Sequence, residues 1–253
     1  MKILITNDDG IGAEGIYKLA CELSKVGDIF IAAPDRQRSA TGHGITMHEP
    51  LRARKVTFFD TDFEAWSISG TPADCVKLAI ESIMDKRPDI VVSGINNGPN
   101  LGTDVLYSGT VSAAMEGVLL GSKGIAMSLA GFKNLDYTYA AKFARKLVEN
   151  LNDKNIPEDT LLNVNIPNCS EDEIKGVEIT NLGVRRYKSS YMERVDPRGE
   201  RYFWLEGELV DIENGTDTDV HAIDNNMVSI TPLHFDLTKN SLIKEVEKWN
   251  ISI

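Results

Sequence analysis

The stretch KILITNDDGIGAEG, residues 2–15, decides the fold of this chain. KILIT is a short apolar run rich in β-branched residues, which is typical of a buried parallel strand. The three glycines from Gly10 to Gly15 match the G-x-G-x-x-G pattern of a dinucleotide-binding turn between a strand and a helix. Two acidic residues, Asp8 and Asp9, stand directly before this turn, so what it binds depends on how their charge is compensated.

Strand-like and helix-like segments alternate through the first two thirds of the chain. Short apolar runs predict strands, and segments with an apolar residue every three or four positions predict helices. The further strand-like runs are DIFIAAP (28–34), DIVVSG (89–94), GIAMSLAG (124–131) and LLNVNIP (161–167), with a hairpin predicted from KVTFF (55–59) and EAWSIS (64–69). The alternation predicts an α/β fold: a Rossmann-like, mostly parallel sheet with helices on both faces.

The pattern changes near residue 160, where strand-like runs are no longer separated by helical segments. These runs are VEITNLGV (177–184), RYFWLEGELV (201–210) and MVSITPL (227–233). A short helix is predicted within 237–249, and the polar segment 213–226 is predicted to be a surface loop. We therefore predict a catalytic α/β core at 1–170, and at 171–253 a β-hairpin extension with a C-terminal segment used in oligomerisation.

The composition excludes several classes of function. The chain has 27 basic and 38 acidic residues among 253, a net charge of -11, which argues against nucleic acid as a partner. No segment approaches the roughly 18 consecutive apolar residues of a membrane span. The three cysteines form no CxxC pair, so we expect reduced thiols in a cytoplasmic protein without a membrane partner. An anionic substrate would need a local positive source.

Dinucleotide binding is one interpretation of the first turn. Asp35 lies about 20 residues beyond Gly15, at the end of the second predicted strand, where a ribose-binding acid belongs. A pyrophosphate would, however, approach Asp8 and Asp9, and each close pair of like charges costs about 1 kcal/mol even in bulk water. The two acids are better explained by a cation bound between them and a phosphate.

A metal site is the second interpretation, and it uses three loops that leave the carboxyl ends of predicted strands. The oxygen-bearing side chains on these loops are Asp8, Asp9, Ser39 and Asn96. An all-oxygen set suits Mg²⁺, Mn²⁺ or Ca²⁺ better than zinc or copper. The alternative for Asp8 and Asp9 is that they cap the helix that follows them.

A helix is predicted to begin at Ser108, Gly109 and Thr110, within YSGTVSAAMEG. Hydroxyl groups, a glycine and free backbone N–H groups at a helix N-terminus form a cradle for an anion, which supplies the missing positive source. The alternative is an ordinary N-cap. Serine-hydrolase chemistry from Ser39 and His43 is not favoured, because the chain has no G-x-S-x-G motif. The absence of a Walker A motif excludes a P-loop NTPase.

With these residues identified, the sequence resembles the SurE family of survival-protein nucleotidases along essentially its whole length. The matching segments are ILITNDDGI, APDRQRSATGHGIT, GTPADCVKLA, DIVVSGINNGPNLG, YSGTVSAAMEG and VSITPL. The resemblance implies a divalent-metal-dependent 5'-nucleotidase that hydrolyses nucleoside 5'- and 3'-monophosphates to nucleoside and phosphate, with an exopolyphosphatase side activity. It also implies a homodimer or homotetramer whose C-terminal segments are exchanged between subunits.

The resemblance further implies roles for particular residues. The implied metal ligands are Asp8, Asp9, Ser39 and Asn96, with Mg²⁺ or Mn²⁺ as the cofactor and Ca²⁺ as a substitute in crystals. The implied phosphate-binding or substrate-binding residues are Asn100, Ser108, Gly109 and Thr110. Asp8 and Asp9 are also the candidate catalytic residues, since either one can take a proton from the attacking water.

Two alternatives from other functional classes make different predictions. A dinucleotide-dependent oxidoreductase would bind NAD(H) without a metal. A non-catalytic nucleotide-binding protein would bind nucleotide saturably and release no phosphate.

Overall fold

The computed structural model describes residues 1–152, 154, 156–210, 212–249 and 251 of the chain. Its strands are β1 (Lys2–Thr6), β2 (Asp28–Pro34), β3 (Ala53–Lys55), β4 (Glu64–Ile68), β5 (Ile90–Asn97), β6 (Lys123–Ala130), β7 (Thr160–Pro167), β8 (Val177–Ile179), β9 (Arg186–Val195), β10 (Arg201–Val210) and β11 (Val228–His234). Its α-helices are α1 (Glu14–Leu23), α2 (Pro72–Leu78), α3 (Gly109–Leu119), α4 (Thr138–Asn152), α5 (Asp219–Asp224) and α6 (Asn240–Glu247). Shorter helical turns span Ala79–Ile83, Gly102–Tyr107 and Glu171–Glu173. Among the described helices, none has the length and apolar character needed to cross a bilayer.

Nine strands form one mixed sheet in the order β3-β4-β2-β1-β5-β6-β7-β11-β8. The six central strands from β4 to β7 are parallel to one another. Strand β3 pairs antiparallel with β4, and β11 pairs antiparallel with β7. The predicted mostly parallel α/β sheet is therefore confirmed.

Helices cover both faces of the sheet, and β1 shows how its sequence makes this necessary. Ile3 and Ile5 pack into a buried cluster with side chains of α1 and α4. Leu4 points to the opposite face and packs with Val76 of α2 and Ala113 of α3. Successive strand residues alternate between faces, so a continuous apolar run needs cover on both sides. Each such side chain contributes roughly 1.5–3 kcal/mol when fully buried.

The predicted boundary after residue 170 falls between β7 and β8, and the main sheet continues beyond it. Strand β11 pairs with β7 from Ser229 opposite Asn165 to His234 opposite Thr160, and β8 pairs with β11. Among the described strands, only β9 and β10 lie outside the main sheet, and they form a separate two-stranded sheet. Local patterns detect β11 as a strand, but its return to β7 depends on long-range pairing.

Two local predictions need correction. Strand β3 occupies Ala53–Lys55 and pairs with β4, so the hairpin exists but its first strand lies earlier than 55–59. The predicted surface loop 213–226 contains α5, and Asp219 at its start is fully buried. A polar composition predicts exposure on average, but it cannot detect a buried acid that receives hydrogen bonds from distant backbone.

Candidate active site at the carboxyl edge of the sheet

The carboxyl ends of β1, β2 and β5 lie side by side, so the loops that follow them meet at one edge. The first loop is shaped by Asn7: its Nδ2 donates to the Gly10 carbonyl at 2.8 Å, and the Gly10 N–H donates to its Oδ1 at 3.2 Å. Gly10 has a φ of +98°, and a Cβ there would lie 3.0 Å from the Arg36 carbonyl carbon. The tight turn places Asp8 and Asp9 at the edge.

Asp8 is a buried carboxylate. Its side chain accepts a hydrogen bond from the Thr110 hydroxyl at 2.6 Å, and its backbone carbonyl accepts one from the Arg38 N–H at 2.7 Å. Burial, and to a lesser extent the neighbouring Asp9 charge, raise the pKa of Asp8 to about 6 despite the Thr110 hydrogen bond. Asp8 therefore carries its charge at neutral pH at a substantial cost in desolvation.

Asp9 is half-buried, and one of its oxygens is held. Its Oδ2 accepts from the Asn97 N–H at 2.9 Å, and Gln37 Nε2 makes a long 3.5 Å contact with Oδ1. Burial raises the pKa of Asp9 as well. Within the described part of the chain, neither Asp8 nor Asp9 forms an ion pair with a basic side chain. Two adjacent, desolvated carboxylates without a cationic partner form a site that a metal ion would stabilise.

Helix capping does not explain the two acids. Helix α1 begins at Glu14, its N-cap is Ala13, and no side chain caps it. The alternative interpretation of Asp8 and Asp9 as caps of this helix is therefore wrong. Asp35, the acid expected to bind ribose in a dinucleotide site, lies 3.5 Å from Arg38 of its own loop.

Ser39 and Asn96 reach the same edge from the other two loops. Gln37 Nε2 donates to Ser39 Oγ at 2.9 Å and also contacts Asp9, so it connects the second loop to the acids. Asn96 Nδ2 donates a hydrogen bond to the Gly98 carbonyl at 2.8 Å. The amide oxygen of Asn96 is therefore the atom that could act as a metal ligand. No group of three His, Cys, Asp or Glu side chains suited to a metal exists among the described residues. A metal ion bound here would therefore need neutral oxygen ligands in addition to the two carboxylates.

The N-terminus of α3 lies directly against Asp8. Ser108 is the N-cap, its hydroxyl accepting from the Val111 N–H at 3.1 Å, so the ordinary capping role is present. A Cβ on Gly109 would lie 2.9 Å from Asp8 Cβ and 3.1 Å from Pro72 Cγ, so only glycine allows this approach. The first N–H groups of a helix have no partner within it, and they favour an anion.

Asn100, on the loop that follows β5, is buried. Its Nδ2 donates to Ser128 Oγ at 2.8 Å, and its backbone N–H donates to Asn165 Oδ1 at 2.8 Å. No direct hydrogen bond joins Asn100 to Asp8 or Asp9 among the described contacts. Among the predicted site residues, Gly109 and Thr110 thus lie against Asp8, and Gln37 links Ser39 to Asp9. Asn100, on the loop after β5, bonds to β6 and β7 instead.

Sequence reasoning missed an acid that orients His43. Glu116 of α3 is buried, and its Oε2 lies 2.8 Å from His43 Nε2, although the two residues are 73 positions apart. The hydrogen bond from His43 is the main reason that the pKa of Glu116 is lowered, with Lys77 adding to the effect. Ser39 Oγ is bonded to Gln37 rather than to His43, so the structure does not form a serine-hydrolase triad. The pair instead anchors the second loop to α3.

The structure also contains a basic cavity that no short motif indicated. Its volume is about 440 Å³, and its charged lining residues are three arginines, Arg36, Arg38 and Arg52, and one acid, Glu49. It lies where β2 and β4 end, and Arg38 Nη2 donates to the Ser69 carbonyl at 2.8 Å. Because Arg38 also bonds the Asp8 backbone, the cavity adjoins the acids. It provides a local positive field in an acidic protein.

Comparison with known proteins gives consistent matches. Residues 3–189 match the family model described as survival protein SurE. A 5'-nucleotidase SurE of Alkaliphilus metalliredigens is 53% identical over 252 residues, covering 99% of this chain and 99% of the relative. A 5'-nucleotidase SurE of Heliobacterium modesticaldum is 53% identical over 249 residues, covering 98% and 92%. The crystal structure of the SurE protein from Aquifex aeolicus superposes with a TM-score of 0.85 at 44% identity, covering 99% of this chain and 100% of that one.

Proposed function

The chain belongs to the SurE family, and we propose that it is a 5'-nucleotidase that hydrolyses nucleoside monophosphates to nucleoside and phosphate. The observation that carries the proposal is the 2.6 Å contact between Thr110 and Asp8. It joins an acid pair without a cationic side-chain partner to a helix N-terminus suited to a phosphate. The relatives named 5'-nucleotidase support the same activity.

We propose that the enzyme needs a divalent cation, Mg²⁺ or Mn²⁺. The residues that would hold it are Asp8, Asp9, Ser39 and Asn96. Their donor chemistry fits, because hard oxygen ligands suit these ions and the two desolvated carboxylates need compensating charge. When bound, such an ion lowers the pKa of a coordinated water and offsets charge on the phosphoryl oxygens.

The chain's own residues would then perform distinct tasks. The backbone N–H groups at Gly109 and Thr110, with Asn100, bind and orient the phosphoryl oxygens as charge develops on them. Ser108 holds the helix N-terminus in place, since its hydroxyl caps the first turn. Asp8 accepts a short hydrogen bond from Thr110, whereas Asp9 Oδ1 has, among the described residues, only the long contact to Gln37. We therefore assign to Asp9 the proton taken from the attacking water.

We propose 3'-nucleotidase and exopolyphosphatase activities as side reactions of the same site. The support for them is the basic cavity lined by Arg36, Arg38 and Arg52 next to the acids. Arginine side chains bind phosphate oxygens in a bidentate manner, so the cavity offers room and charge for a substrate with further phosphates or an altered ester position.

We propose that the protein is a homodimer or homotetramer, and that the extension at 171–253 serves to exchange C-terminal segments between subunits. The β9–β10 hairpin pairs only with itself in the described chain and exposes Phe203, Trp204 and Leu205 on β10. An isolated two-stranded hairpin is at best marginally stable in water, so it benefits from a partner surface. We propose the cytoplasm as its location, since the three cysteines are all unpaired.

The decisive experiment measures phosphate release from a panel of 5'- and 3'-nucleoside monophosphates. The protein is stripped with EDTA and resupplied with Mg²⁺, Mn²⁺ or no metal. Release that returns only with metal, and is fastest with 5'-monophosphates, supports the proposal. Folded protein that binds nucleotide without releasing phosphate would make it a binding protein, and NADH binding without metal would favour an oxidoreductase.

A further inference from the structure

The segment 98–107, which we call the substrate loop, connects β5 to α3 and carries Asn100. It leads directly to Ser108 at the phosphate cradle. Buried side chains from β7 and from the start of α5 bond its backbone at two points. Such long-range bonds to a loop backbone restrict its position, whereas bonds to water would leave it free to move.

The first point of attachment is Asn100. The single carboxamide of Asn165 bonds both of its backbone groups: Oδ1 accepts from the Asn100 N–H at 2.8 Å, and Nδ2 donates to the Asn100 carbonyl at 3.0 Å. Asn163 Nδ2 donates to the same carbonyl at 2.9 Å. Asn163 and Asn165 are fully buried on β7, where Thr231 and Ser229 of β11 lie opposite them.

The second point of attachment is Gly102. Its N–H donates to Asp219 Oδ2 at 2.8 Å, from a residue 117 positions away. Asp219 is fully buried, and its Oδ1 accepts from the N–H groups of Gly183 at 2.7 Å and Val220 at 2.8 Å. The carboxylate thus fixes the substrate loop, the start of α5 and the segment before β9 relative to one another.

An outer ion pair supports the same arrangement. Asp104 Oδ2 lies 2.8 Å from Arg185 Nη1 and accepts from the Tyr187 hydroxyl at 2.6 Å. Thr103 Oγ1 donates to the Arg185 carbonyl. The substrate loop is therefore held at positions 100, 102, 103 and 104 by residues of β7 and of the segments that follow β7 in the sequence.

We propose that Asp219 and Asn165 are positioning residues of the active site, which hold the substrate loop so that Asn100 and the start of α3 face the bound phosphoryl group. Stability alone is a poor reason for a buried carboxylate, because replacing such polar groups with apolar ones is often neutral or stabilising. Buried polar groups that hold a loop in one geometry are expected where that geometry serves binding or catalysis. The effect on turnover rests on the phosphatase activity proposed above.

The test compares Asp219→Asn with Asp217→Asn. Asp217 is exposed and accepts from Asn181 Nδ2, so it is a matched acid two residues away that makes no bond to the substrate loop. In the metal-loaded protein, we expect Asp219→Asn to lower kcat/KM for a nucleoside monophosphate about 10- to 100-fold. Mn²⁺ affinity should stay within about twofold of wild type, because the proposed metal ligands lie outside the substrate loop. Asp217→Asn should behave as wild type.

A second measurement separates positioning from a general structural role. Hydrogen exchange followed by mass spectrometry should show faster exchange in 98–107 of Asp219→Asn, with β1, β5 and β6 unchanged. Asn165→Ala should give the same pattern from the other attachment point, and it keeps the proposal testable where Asp219→Asn does not fold. Unchanged exchange in 98–107, exchange that rises equally throughout the sheet, or a wild-type kcat/KM in folded variants would each overturn the proposal.

The same data distinguish this proposal from the function on which it rests. If the wild-type protein releases no phosphate with any metal, the phosphatase assignment fails. Titration with inorganic phosphate, together with the exchange data, then tests positioning alone. Phosphate affinity that falls at least tenfold in Asp219→Asn, with local loosening of 98–107, supports it, and unchanged affinity overturns it.

Discussion

The carboxyl edge of the sheet and the β9–β10 hairpin depart from the usual distribution of polar and apolar residues in opposite directions. At the edge, Asp8 is 4% exposed, and Asp219 is fully buried. On the hairpin, Phe203 is 53% exposed and Trp204 is 66% exposed. Soluble proteins ordinarily expose charged side chains and bury aromatic ones. Buried polar groups therefore indicate a site for a ligand, and exposed aromatic groups indicate a surface for a partner.

The two regions also differ in how they are held. Groups at the edge bond to residues far away in the sequence, such as Thr110 with Asp8 and Gly102 with Asp219. The hairpin bonds mainly to itself, from Arg201 opposite Val195 to Val210 opposite Arg186. A change at the edge should therefore disturb activity and the stability of the core, whereas a change at an exposed hairpin residue that makes no bond to the substrate loop should disturb association only.

The largest effect is expected from Asp9→Asn. The amide retains an acceptor for the Asn97 N–H, so the fold should survive, but it cannot take a proton or supply a negative ligand. We expect phosphate release at saturating Mn²⁺ to fall about 1,000-fold or more, with an unchanged circular dichroism spectrum. Asp35→Asn is the matched control, since this exposed acid pairs with Arg38 and is essential only in the dinucleotide interpretation. Turnover at the wild-type rate in Asp9→Asn would contradict the proposed role of Asp9 as a metal ligand and proton acceptor.

The next effect concerns stability and pH in metal-free protein. Folding raises the pKa of Asp8 from 3.8 to about 6, so the unfolded chain loses this proton first as pH rises. Below pH 3.8 Asp8 is protonated in both the folded and the unfolded chain, and its burial costs no charge desolvation. Between pH 3.8 and about pH 6 the unfolded chain ionises more readily, so the free energy of unfolding falls. Asp8→Asn removes this loss, so in EDTA it should be more stable than wild type at pH 7, by on the order of 2–3 kcal/mol.

Urea unfolding at several pH values checks this prediction. The advantage of Asp8→Asn should vanish below about pH 4, where both proteins are neutral at this position. Saturating Mn²⁺ should reverse it at pH 7, because only the wild-type carboxylate gains a partner. An advantage of the same size at pH 3 and pH 7 would mean that the effect is not electrostatic.

Gly109→Ala should have an intermediate effect. The new Cβ would meet Asp8 Cβ at 2.9 Å and Pro72 Cγ at 3.1 Å, so the acid or the helix start must move by a few tenths of an ångström. We expect kcat/KM to fall about 10- to 100-fold, which steady-state kinetics would measure. Gly12→Ala is the control, since a Cβ there has nothing within 4 Å. Equal activities of the two variants would show that the close approach of α3 to Asp8 is not needed.

The smallest effect on the core is expected from a double change on the hairpin, Phe203→Ser with Trp204→Ser. Both side chains are exposed, so thermal unfolding of the dilute protein should shift by no more than about 2 °C. Its molar mass, measured by light scattering after size exclusion, should fall relative to wild type. Lys188→Ser on the paired strand should change neither quantity. An unchanged mass in the double variant would mean that subunits associate elsewhere.

Much of the site could be predicted because its parts are local in sequence. Asp8 and Asp9 lie just after an apolar run, and Ser108, Gly109 and Thr110 begin a helical segment. The parallel alternation brings strand ends to one edge, so these groups were expected to meet there. The orienting partners were not predicted, since Glu116 lies 73 positions from His43, and the mostly polar and acidic composition of 213–226 suggested that Asp219 is exposed.

The sequence by itself determined the strands and helices of the core, their alternation and the acids that leave β1, because these depend on local periodicity and on adjacent residues. Tertiary structure alone decided that β11 returns to β7, that α3 lies against Asp8, and that Asp219 and Asn165 hold the loop carrying Asn100. The physical reason is that pairings between distant segments depend on how the whole chain buries its surface. Gly102 and Asp219 are 117 positions apart and share no local pattern, yet in the folded chain the Gly102 N–H donates a hydrogen bond to Asp219.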